Sequence, residues 1–158
     1  MFLIGVVLLA APLRAETPKQ RFAFTVDGDW PVQEAQGNSA WIYDMSGFFH
    51  IELDTTFEKD AKQRVILDIV KMGDARPKVG KYKISRSNLT HYSATLELQG
   101  DYARTVRSGS GELHIKKTTP LFTTGSFTFK SNPASGGPDI KVSGDFVAKE
   151  RPKRKKKE

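Results

Sequence analysis

The 158-residue chain contains no cysteine. That absence excludes disulfide staples, thiolate chemistry and Cys-ligated zinc, and it excludes lipid attachment through an N-terminal cysteine. Stability must come from a packed core, and the chain is long enough to build one. A helical stripe is also lacking: nowhere do apolar residues recur convincingly at the three- and four-residue spacing of an amphipathic helix. No apolar run reaches the roughly 20 residues needed to span a bilayer as a helix. Catalytic motifs are missing as well. No Gly-x-Ser-x-Gly elbow occurs, and Ser108-Gly109-Ser110-Gly111 approaches one in composition only, so it reads as a flexible lead into a strand. The histidines, His50, His91 and His114, lie far apart, without the close ligand spacing of a metal site. The expectation is therefore a protein with neither metal nor cofactor, and a binding module rather than an enzyme. Paired carboxylates on facing strands leave no local signature, so hydrolysis of an envelope polymer stays open as a lesser reading.

What is present begins with an uncharged apolar run, Met1–Leu13, followed by Arg14, Ala15 and then polar sequence. It has the length of the apolar region of a secretory signal, with Ala15 as the last residue before cleavage, although no Lys or Arg precedes it. Residues 1–15 are expected to be a signal peptide, 16–148 a single β domain and 149–158 a basic, disordered tail. A protein so addressed is periplasmic or extracellular in a bacterium, and without cysteine it is not lipid-anchored.

The formal net charge of +7 suggests an anionic partner, but its location changes that reading. Residues 149–158 hold seven Lys or Arg against two Glu, so the body of the chain is close to neutral. The basic character belongs to Arg151, Lys153, Arg154, Lys155, Lys156 and Lys157, which are the candidate contacts to an anionic envelope polymer or lipid surface. They have no aromatic residues interleaved, so they offer charge without base stacking, and sequence-specific nucleic-acid binding is not expected.

The body reads as β throughout. Short runs alternate apolar and polar residues and are broken by Gly, Pro, Asn and Asp. Arg21–Val26, Ala40–Asp44, Phe48–Leu53, Arg64–Val70, Gly80–Ser85, Tyr92–Leu98, Glu112–Lys117, Ser126–Lys130 and Asp139–Ala148 are the predicted strands. Alternation of this kind marks antiparallel strands with one wet face. The predicted fold is all-β, a single antiparallel domain of about 8–9 strands, as a sandwich or a small barrel. Met45-Ser46-Gly47 reads as a hairpin turn and Asp27-Gly28-Asp29 as another; Gly144 suggests a bulge or bend. Trp30, Trp41, Phe48 and His50 are the candidate ligand-binding residues. Phe48 is the sharpest of them, because an inward Phe49 forces its neighbour outward, beside His50.

The strongest pattern lies in Ser110-Gly111-Glu-Leu113-His-Ile115, Thr124-Gly125-Ser-Phe127-Thr-Phe129 and Asp139-Ile140-Lys-Val142-Ser-Gly144-Asp-Phe146, with Phe24-Thr-Val26-Asp-Gly28-Asp-Trp30 and Pro77-Lys-Val-Gly80-Lys-Tyr82-Lys-Ile84 upstream. Together these resemble a class of small exported bacterial β-proteins, common in Bacteroidetes and described as domains of unknown function. The resemblance covers most of the mature domain and implies a fold, with glycines starting strands and aromatics facing the core. It supplies no catalytic residue. The class often carries a lipid-attached N-terminus, which this chain has no cysteine to form, and the basic tail is outside its pattern. Gly28-Asp29-Trp30 also resembles the Gly-x-Trp of the first lipocalin strand, and that likeness implies a carrier with an apolar ligand inside a barrel. Pro31, directly after the tryptophan, is awkward for a strand interior.

Overall fold

The computed structural model describes residues 17–56, 63–73, 75–100 and 103–152. The predicted signal segment 1–15, a polar stretch at 57–62, and tail residues 153–158 lie outside the described residues.

Ten strands form among the described residues: β1 (Arg21–Gly28), β2 (Glu34–Gly37), β3 (Ser39–Met45), β4 (Phe48–Asp54), β5 (Arg64–Met72), β6 (Gly80–Ser85), β7 (Ser93–Gln99), β8 (Arg104–Thr118), β9 (Phe122–Ser131) and β10 (Ile140–Glu150). The only helical element among the described residues is a 3-10 turn at Pro133–Ser135, closed by Gly136 in the left-handed region. The all-β expectation holds, with more strands than the eight or nine foreseen. All belong to one sheet. Seven of them, in the order β3-β4-β5-β7-β8-β9-β10, close into a ring, and β1, β2 and β6 extend it.

The ring closes at a narrow seam. Every other strand pair is antiparallel, but β10 meets β3 in parallel through Lys149↔Trp41 and Glu150↔Ile42. The Arg151 N–H then donates to the Ile42 carbonyl at 2.9 Å. This departs from the purely antiparallel expectation. The reason lies in β10, most of whose length pairs with β1 on the edge that it later offers to β3. The seam also carries the ordered strand two residues beyond the boundary drawn at Ala148.

The predicted hairpin at Met45–Phe48 forms as a two-residue turn. Ser46 and Gly47 have φ of 54° and 81°, the two left-handed residues that match the twist of the flanking strands. The Asp27–Asp29 turn does not form a tight hairpin. Gly28 ends β1 at φ 114° and a longer connection leads to β2.

Inward residues of all the ring strands merge into one core with Phe22, Phe24 and Val26 of β1 and Ile84 of β6. Phe127 stands at its centre, packed against Phe24, Phe129 and Phe146 at centroid distances of 6.3–6.5 Å. Three glycines let neighbouring strands approach closely here, and Gly125 also leaves space for a ring. A Cβ on Gly125 would lie 2.8 Å from Phe146 Cζ, and Cβ atoms on Gly111 and Gly144 would overlap Phe129 and Phe24. Gly111 and Gly125 therefore sit inside strands, covered by a neighbouring strand's phenylalanine, and do not start them. Gly144 marks a close backbone approach in unbroken register rather than a bulge. The register shifts fall in β8 instead, one between Ser108 and Ser110 and another between Ile115 and Lys117; the first redirects Ser108. There Ser108 turns inward, donating to the Ser85 carbonyl at 2.7 Å and accepting from the Ala94 N–H at 2.9 Å.

Candidate functional site

The outer face of β3, β4 and β5 gathers the polar and aromatic side chains that the core does not use. The Met45–Phe48 turn fixes its register, placing Trp41 opposite Glu52 and Tyr43 opposite His50. The next pair adds Asp68 opposite Glu52. Arg151 reaches over this face from the seam.

The contacts form a chain. Arg151 pairs with Glu52, and its guanidinium lies 4.2 Å from the Tyr43 ring centroid and 5.9 Å from that of Trp41. The Tyr43 hydroxyl donates to Glu52 at 2.7 Å. The Tyr43 ring stacks on the His50 imidazole at 4.7 Å with an interplanar angle of 4°. His50 Nδ1 faces both Asp68 oxygens at 3.1–3.2 Å. Tyr43 is thus covered by a cation on one face and an imidazole on the other. Burial, the hydrogen bond to Glu52 and the nearby charge of Asp68 together push its phenol far above its ordinary value. Below this cluster Asp54 is buried against Arg64 and Thr56. Burial opposes its ionisation, but the hydrogen bonds from Arg64 and Thr56 and the charge of Arg64 outweigh that, holding the carboxyl below its ordinary value.

The four sequence candidates separate. Trp41 and His50 belong to the cluster, and Trp41 Nε1 donates to Ser39 Oγ at 2.9 Å. His50 shares the outer face with Glu52, yet it is only 8% exposed, because Tyr43 covers it. Phe48 does point outward and is half-buried, while Phe49 enters the core. Trp30 is elsewhere: it is buried in the core cluster, and its indole N–H has no hydrogen-bond partner among the described residues. Of the basic candidates, Arg151 is engaged by Glu52 and the two rings, and Lys153, Arg154, Lys155, Lys156 and Lys157 lie outside the described residues. Three further residues complete the cluster: Tyr43, Glu52 and Asp68. Parity across the hairpin was enough to find the first two. Asp68 required the β4–β5 register, which the intervening 57–62 stretch hides.

Glu52 and Asp68 are neighbouring carboxylates, but each is committed to an internal partner, Arg151 and Tyr43 for one and His50 for the other. Among the described residues, no group of three or more His, Cys, Asp or Glu is placed to hold a metal ion.

Further along the same face the surface turns apolar. Met45 pairs with Phe48, which bridges to Gly73 beside Met72. The Met72 N–H donates to the Asn88 carbonyl at 2.7 Å and brings Leu89 alongside. Met45, Met72 and Leu89 are 55%, 53% and 61% exposed, and these three apolar side chains are grouped at one corner.

Compared with models of known protein families, with curated proteins and with solved structures, the chain finds no match. No helix among the described residues is long and apolar enough to cross a membrane.

Proposed function

We propose that this protein is an exported, non-enzymatic β module that attaches to an anionic surface of the bacterial envelope through its basic chain end. One observation carries the reading. The last residue before the basic run, Arg151 apart from Pro152, is fixed on the outer face by Glu52, Tyr43 and Trp41. The basic sequence Lys153–Lys157 thus follows a residue held at a defined place on a near-neutral body. A clustered charge so anchored adds about 1 kcal/mol per basic residue near an anionic membrane surface, and this attraction fades with salt. The apolar leader supports export, and the cysteine-free, densely packed core supports a domain that stands without staples. The inward side chains of the ring strands form one buried cluster, which favours an outer-face function over a ligand carried inside the barrel.

The test is binding to immobilised heparin, with and without residues 153–158. The full chain should be retained and should elute at moderate salt, and the truncated chain should pass through. Equal retention of both would overturn the reading.

A further inference from the structure

Resting on that reading, we propose that the anionic surface is a lipid bilayer, and that Met45, Phe48, Met72 and Leu89 enter its interfacial region while the basic chain end binds the head groups. Two independent features meet at one corner of the barrel.

The first is the apolar corner itself. Outward alternation along β3 runs Trp41, Tyr43, Met45; along β4 it gives Phe48, and along β5 it runs to Met72. These side chains stand at strand ends, and Leu89 stands on the loop joining β6 to β7. They sit where strands end and turns begin, at a corner of the sheet rather than in its middle. Methionine suits a disordered acyl boundary because its side chain is flexible and polarizable.

The second is the direction of the chain. β10 and β3 are parallel at the seam, so the chain leaving Glu150 travels toward the Met45 end of β3. Arg151 already lies over Tyr43, two residues from Met45, and Pro152 is exposed. The sequence that follows is Lys-Arg-Lys-Lys-Lys. Arg86, exposed on the Leu89 loop, adds a cation on the other flank, and Asp44, exposed beside Met45, is the opposing charge among the described residues of β3. An apolar corner near Arg86, reached by a chain whose following sequence is basic, suits an anionic bilayer, at which stable attachment takes two signals rather than one.

The missing cysteine makes the test direct. Leu89→Cys, labelled with an environment-sensitive dye, is mixed with vesicles of phosphatidylcholine and phosphatidylglycerol at 3:1 and with vesicles of phosphatidylcholine alone. Thr128→Cys, exposed on the outer face of β9, is the control. The expected result is a blue shift at position 89 on the mixed vesicles only, with none at position 128. In co-sedimentation, Met45→Ser/Met72→Ser/Leu89→Ser should bind mixed vesicles about tenfold more weakly than the parent chain while keeping its heparin retention. No blue shift at 89, or unchanged vesicle binding by the triple variant, overturns bilayer insertion and leaves the anionic-surface reading standing if heparin retention persists. Loss of heparin retention by the parent chain itself is the separate failure, that of the underlying reading.

Discussion

Arg151 shows how much one residue contributes to this fold. Its side chain joins a carboxylate and two aromatic faces, and its backbone N–H bonds across the strand seam. Arg151→Ala would leave Glu52, whose side chain is 16% exposed, with only the Tyr43 hydroxyl. The expected loss is about 1–3 kcal/mol, read as a lower urea midpoint with unchanged slope. Arg151→Lys should recover part of it, since an ammonium keeps the charge but not the planar stacking. Asp54 makes a pH-dependent contribution. Its folded carboxyl titrates below the unfolded one, so the stability it supplies is present at neutral pH and is lost as pH falls through its folded value. The stability gap between the parent and Asp54→Asn should therefore be about 1–2 kcal/mol at pH 7 and narrow steadily below about pH 4, a range discounted for the partly exposed Arg64. Neither role was legible in the sequence. Arg151 reads there as one of seven cations in a charged stretch, and nothing local distinguishes the one that folds back.

At the scale of the element, period-2 alternation located the strands because one face of each is buried. It failed where alternation is carried by small residues. β2 (Glu34–Gly37) has only Ala35 to bury, and the first half of β8 turns Val106 and Ser108 inward before its bulge reverses the parity. The Gly-x-hydrophobic pattern was visible, but its meaning was not: a strand-starting glycine and one lying beneath a cross-strand phenylalanine look alike until the register is known. The two kinds of glycine respond differently to mutation. Gly144→Ala puts a methyl into Phe24 and the Ala23 carbonyl, and it should cost about 1–3 kcal/mol or prevent folding. Gly47→Ala meets no atom within 4 Å, yet it must hold φ near 81°, and it should cost about 1–2 kcal/mol. Thermal melts of the two variants followed by circular dichroism check both values.

For the molecule as a whole, two stretches at the C-terminal side of Ala148 contribute unequally. Removing residues 153–158 should leave the melting temperature within about 2 °C of the parent, because the seam and the Arg151 clasp survive. Removing everything after Ala148 takes away both seam pairs, the Arg76–Glu150 ion pair and the clasp, and should lower it by about 10 °C or more. Differential scanning calorimetry of the two truncations tests the contrast. Ring closure was beyond the reach of local pattern, since it rests on residues distant in the chain whose pairing no neighbouring residue specifies. That same seam governs when the fold can be completed. Trp41 and Lys149 are roughly a hundred residues apart, so their pairing is among the most entropically demanding contacts in the structure and should come late. A chain emerging from its N-terminus holds β3 long before β10 exists, and until the final strand arrives the edge of β3 facing away from β4 has no seam partner. The ring can therefore close only once β10 has been made, and until then the strands before it wait open along that edge.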